Sequence, residues 1–105
     1  MTDTNTDPLA SAIQTREAEV AQYQQNIVMY QAILATLPAE WPANLISHKG
    51  ASSQHDAIAG IEDMADVELI SRLWYADDCR KLIRTETLEM TKSNAILQAL
   101  KAQVS

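Results

Sequence analysis

The 105-residue chain has no phenylalanine, two glycines, three prolines and one cysteine. So few turn formers exclude a sandwich or barrel of many short strands. The single Cys79 cannot close an internal disulfide, gives no sign of an oxidising compartment, and suits a cytoplasmic setting. No segment approaches the ~18 consecutive apolar residues of a membrane span, so no membrane partner is expected. The first seven residues, Met-Thr-Asp-Thr-Asn-Thr-Asp, lack both a positive charge and a following apolar segment, so they are expected to be a disordered tail rather than a secretory leader. Bases are also scarce, 8 against 14 acids for a net charge of −6. That balance excludes direct nucleic-acid binding through phosphate neutralisation and any polybasic membrane contact.

Hydrophobic residues, at 47%, are too many for a chain disordered by composition. The aromatics are Tyr23, Tyr30, Trp41, Trp74 and Tyr75, so the core must come from Ile, Leu, Val, Met and Ala, which suits helices. Asp7-Pro8 reads as a helix start, because the carboxylate caps free N–H groups and proline at the first helical position loses no bond. From Pro8 to Leu37 there is no further proline and no glycine. One seven-residue series runs through Ile13, Val20, Ile27 and Leu34, and a second through Leu9, Arg16, Tyr23, Tyr30 and Leu37. Together they form an a/d seam, which predicts a helix over about 8–37, about 45 Å long at 1.5 Å per residue. Such a helix needs an equally long partner.

Pro38 and Pro42 end that helix, and the apolar connector around Trp41, Leu45 and Ile46 is expected to dock back on it. Ser53 with Asp56 resembles a capping box for a short helix over about 54–60, ending at Gly60. Asp63 is the next candidate cap. Met64 to about Ala102 is again free of glycine and proline, with the series Leu69, Ala76, Ile83, Met90, Leu97 and Val104. Companion positions Leu73, Arg80, Thr87, Asn94 and Lys101 are mixed, and Ile70, Trp74, Leu82, Leu88, Ile96 and Leu100 widen the stripe. A wide stripe predicts contact with more than one helix. The expected fold is all-α: one domain over 8–105, a long antiparallel helical hairpin of helices 8–37 and 64–102 with a short connector helix, dimerising into a four-helix bundle. The bundle or dimer seam is expected at Ile13, Val20, Tyr23, Ile27, Tyr30, Leu34, Leu69, Leu73, Ile83, Met90 and Leu97. Arg16 and Arg80 interrupt the two seams and can fix register.

Chemistry-bearing patterns are sparse. His48, His55 and Asp56 flank the Gly50 loop, but a metal site needs three or four ligands and no Cys-x-x-Cys or His-Glu-x-x-His spacing is present. The segment His48-Lys49-Gly50-Ala51-Ser52-Ser53 lacks the first glycine and the preceding strand of a phosphate loop. Cys79 sits beside Asp77 and Asp78, which oppose a thiolate, so no nucleophile is expected. No catalytic residue, cofactor or metal is therefore assigned. Between Asp56 and Asp78 lie seven acids against Arg72 alone. Helix-dipole complementarity accounts for acids in the first turn only. The remainder predicts a non-enzymatic interaction protein (an adaptor, assembly factor or regulator) that meets a basic surface of another protein through Asp66, Tyr75, Asp77 and Asp78. Two rival readings are an acidic decoy for a nucleic-acid-binding protein and a small metal- or cofactor-binding bundle enzyme using the His48, His55 and Asp56 loop.

Overall fold

A computed structural model describes residues 7–104, so residues 1–6 of the expected tail lie outside the described residues, while Asp7, also expected in that tail, caps the first helix. The described residues are helical, with two long helices, α1 (Pro8–Leu34) and α3 (Met64–Ala102), and between them a 3-10 turn at Ile46–His48 and a short α2 (Gln54–Ile58). Among the described residues there is no strand, and no helix is long and apolar enough to cross a membrane.

Each helix starts where a side chain can serve its free N–H groups. Asp7 Oδ1 accepts from the backbone N–H of Leu9 at 3.0 Å and of Ala10 at 3.3 Å. Ser53 Oγ accepts from the N–H of Asp56 at 3.1 Å, and Asp63 Oδ1 from that of Ala65 at 2.9 Å. The expected reciprocal half of the capping box is not made. The Asp56 carboxylate takes the Ser52 hydroxyl instead, at 2.9 Å, because an aspartate is one methylene short of the usual glutamate. α1 closes three residues earlier than expected. The N–H groups of Thr36 and Leu37 bond to carbonyls three residues back, at 3.0 and 3.1 Å, and the Thr36 hydroxyl caps the Ile33 carbonyl at 2.7 Å. Pro38 disfavours the α conformation at Leu37, which fits this tighter exit. α2 likewise stops at Ile58. Ala59 is extended, and Gly60 turns the chain at φ +79°, a conformation that side-chain-bearing residues rarely adopt.

The chain divides into two compact units. The first, here the two-helix unit, comprises the described residues up to Met29 with those from Ile83 onward. In it α1 and α3 pack antiparallel. Ser93 donates its hydroxyl to Glu19 at 2.9 Å, Asn26 donates to Glu86 at 3.5 Å, and Lys101 lies 3.7 Å from Glu17. Ile27, Ser93 and Leu97 are buried there, while Ile13, Val20, Tyr23, Ile83 and Met90 are half-buried. The companion series of α3 therefore differs from the expected one. Thr87, Asn94 and Lys101 are exposed, and Glu86, Ser93 and Leu100 turn inward instead. Polar residues can occupy that face because α1 supplies their partners, Asn26 and Glu19. Arg16, also inside the α1 seam, is satisfied locally by Glu19 at 2.9 Å.

The second, the connector unit, is Tyr30–Leu82. Its core is Leu45, Ala57 and Ile70, with Trp41, Ala51, Ile58, Ile61, Leu69 and Trp74 packed against it. Leu73, Ala76 and Cys79 are buried on the same stretch of α3. The wide apolar stripe that sequence reads as a demand for a second copy is, in this half of α3, covered by the chain's own connector and α2.

Candidate functional site

The acids concentrate in the connector unit. Glu40, Asp56, Glu62, Asp63, Asp66, Glu68, Asp77 and Asp78 stand there against Lys49, Arg72, Arg80 and Lys81. Of these acids, Asp77 alone is ion-paired among the described residues.

The four residues expected to meet a partner do not share a face. Asp66 and Asp77 lie eleven residues, about three turns, apart and fall on one side of α3. Tyr75 lies nine residues from Asp66, about two and a half turns, and points to the other side. Asp77 is also drawn away from solvent. Its Oδ2 accepts from Trp41 Nε1 at 2.9 Å and its Oδ1 from Arg80 at 2.6 Å, while Arg80 reaches the Ala39 carbonyl at 3.5 Å. Asp77 thus clasps the connector to α3. Trp74, one turn before Asp77, does the same, donating Nε1 to the Ala51 carbonyl at 3.2 Å.

What remains outward is the face of Tyr75, which is 38% exposed. Asp78 follows it by one turn and Glu68 precedes it by two, so both lie on Tyr75's side of the helix. Glu68 was not among the expected contact residues, although its seven-residue spacing from Tyr75 is readable. A shallow depression of about 300 Å³ adjoins this face, lined by Leu37, Gln54, Ser71, Arg72 and Tyr75. Behind it sits the fully buried Cys79. The nearby Cys79 thiol raises the Tyr75 hydroxyl above its ordinary pKa, with desolvation, Asp78 and Tyr30 adding to the rise. Burial raises the Cys79 thiol and Asp78 adds to it, against opposing contributions from the Tyr75 hydroxyl and Arg80. At neutral pH both groups are protonated, and the surface offers an uncharged phenol bordered by carboxylates.

The residues weighed for metal binding are placed separately in function. His48 ends the 3-10 turn half-buried, whereas His55 is exposed on α2 and Asp56 is held by Ser52. Among the described residues no three His, Cys, Asp or Glu side chains come together as a possible metal site. Comparison of the chain with protein-family models, with curated proteins and with solved structures finds no match.

Proposed function

We propose that this chain is a non-enzymatic interaction module, an adaptor, assembly factor or regulator, that binds a basic surface of a partner protein through its connector unit. The observation that carries this reading is the segregation of charge: eight acids against four bases in that unit, with Asp77 alone ion-paired. Carboxylates left without partners around an exposed tyrosine favour a cationic counterpart, since cations bind both carboxylates and aromatic faces. The docking face is that of Glu68, Tyr75 and Asp78, and Asp77 serves it from behind by fixing the connector. The module works in a reducing, cytoplasmic setting, where the buried Cys79 stays a thiol. It also self-associates, two copies contributing four helices, because in the two-helix unit the seam residues Ile13, Val20, Tyr23, Ile83 and Met90 stay half-buried.

The test is charge reversal at Glu68→Lys with Asp78→Lys, which spares the Asp77 clasp. Capture from native lysate identifies a partner, and association kinetics are then measured at low and physiological ionic strength. The double variant slows association at least tenfold at low salt while its circular dichroism is unchanged. Equal association of variant and parent removes this face from consideration.

A further inference from the structure

We propose that the depression beside Tyr75 seats an aromatic side chain of the basic partner, with bases of that partner on either side of it. This rests on the reading above and adds the group that enters the surface.

The depression lies within the connector unit, where three elements meet. Leu37 follows α1, Gln54 starts α2, and Ser71, Arg72 and Tyr75 belong to α3. Its volume of about 300 Å³ stands at the lower bound of the about 300–1,000 Å³ of small-molecule sites, and it is shallow. It therefore suits one large side chain presented by another surface rather than a freely diffusing ligand. Leu37 and the Tyr75 ring supply apolar wall, and Gln54, Ser71 and Arg72 supply polar groups.

Charge selects what can enter. Among the described residues the Arg72 guanidinium has neither an ion pair nor a hydrogen bond, so it repels a cation at the depression itself. A carboxylate is drawn to Arg72 but meets Glu68, one turn before it, and Asp78, one turn after Tyr75. An uncharged group meets neither penalty. Among uncharged groups, the flat guanidinium and the flat phenol favour an aromatic ring. A guanidinium stacks on aromatic faces, and aromatic pairs gain more than their buried area, whereas an aliphatic chain gains the area alone.

Glu68 and Asp78 border this seat along α3, ten residues or about 15 Å apart. Neither is ion-paired among the described residues. They attract the bases that the seat itself repels. The partner's recognition element is thus an aromatic residue flanked by lysines or arginines. In an extended segment, at about 3.3 Å per residue, bases three residues to either side of the ring bring their long side chains within reach of both acids.

The probe is the peptide Lys-Ser-Ser-Phe-Ser-Ser-Lys, capped at both ends and titrated into the nitrogen-15-labelled full chain at low ionic strength. Its spacing is the same in both chain directions. It binds at least tenfold more tightly than the peptide with Ala for Phe, and than the peptide with Gln for both Lys. Amide shifts centre on Gln54, Ser71, Arg72 and Tyr75. Ser71→Tyr fills the depression and abolishes the advantage of Phe over Ala. If that variant loses helicity, Gln54→Tyr fills the depression from α2 with the same result. Arg72→Ala reduces the advantage of Phe at least threefold without weakening the Ala peptide. Phe and Ala peptides that bind equally, and weaken together on Glu68→Lys with Asp78→Lys, overturn the aromatic seat and leave the charged face standing. Lysine and glutamine peptides that bind equally overturn the flanking bases. A chain that binds none of the three overturns the seat and the charged face together.

Discussion

Asp77 and Asp78 are adjacent carboxylates with opposite assignments, and the difference turns on Trp41, a partner 36 residues away in sequence. Asp77 receives the indole N–H of Trp41 and the guanidinium of Arg80. Asp77→Ala leaves a part-buried indole donor without an acceptor and frees Arg80, at a cost of about 1–3 kcal/mol. Asp78→Ala is expected to shift stability by no more than about 0.5 kcal/mol, as a surface substitution with no hydrogen-bond partner to lose. Urea midpoints of the two variants check this, and equal midpoints would refute the assignment of the clasp. Sequence alone put both acids on the contact surface, because nothing in the local pattern around Asp77 signals Trp41. Cys79 supplies a second expectation. Burial raises its pKa above the unfolded value, so the folded chain keeps the proton longer. Its contribution to stability is complete below the unfolded thiol value of about 8.5 and is lost as pH rises through the higher folded value. The melting temperature of the parent therefore falls on the alkaline side of that value, and Cys79→Ala, which removes the titrating group, falls less steeply.

At the scale of the element, α1 and α3 differ in how much of them the sequence reveals. The seam of α1 is legible along the helix: every expected seam position from Leu9 to Leu34 is buried or half-buried, with Ile27 at 7% exposure. Ile27→Asp places a carboxylate there without a partner and is expected to cost about 3–5 kcal/mol, a large share of the about 5–15 kcal/mol that holds a small domain. Unchanged helicity and melting temperature would refute the seam. Three helix starts were legible for the same reason, since a cap and its N–H groups lie within a few residues of one another. The inner face of α3 was legible only in part. Leu69, Leu73, Ile83, Met90 and Leu97 follow an apolar pattern, but Glu86 and Ser93 do not. Their inward placement depends on Asn26 and Glu19, residues 60 and 74 positions away, and no window along the chain contains both partners. The candidate site was legible in composition, as an acidic region, and illegible in arrangement, since which acids stay free depends on where Trp41 and Ser52 settle.

For the whole molecule, a net charge of −6 conceals two unlike halves: a connector unit rich in carboxylates and a two-helix unit with Asp7, Glu17, Glu19, Glu86 and Glu89 against Arg16, Arg84, Lys92 and Lys101. The breadth of the α3 stripe also reads differently at this scale, because the connector covers its first half. Under the proposed function, recognition by charge belongs to the connector unit and self-association to the two-helix unit. The tryptophans are divided in the same way. Trp41 and Trp74 both belong to the connector unit, tied to Asp77 and to the Ala51 carbonyl, and the other unit has only Tyr23 as a chromophore of this kind. Indole emission consequently follows one half of the molecule, while far-ultraviolet circular dichroism sums the helices of both. Superimposed melting curves from the two signals would mark a single cooperative body. A lag between them would separate the free energies of the halves, with the native chromophores as the only labels.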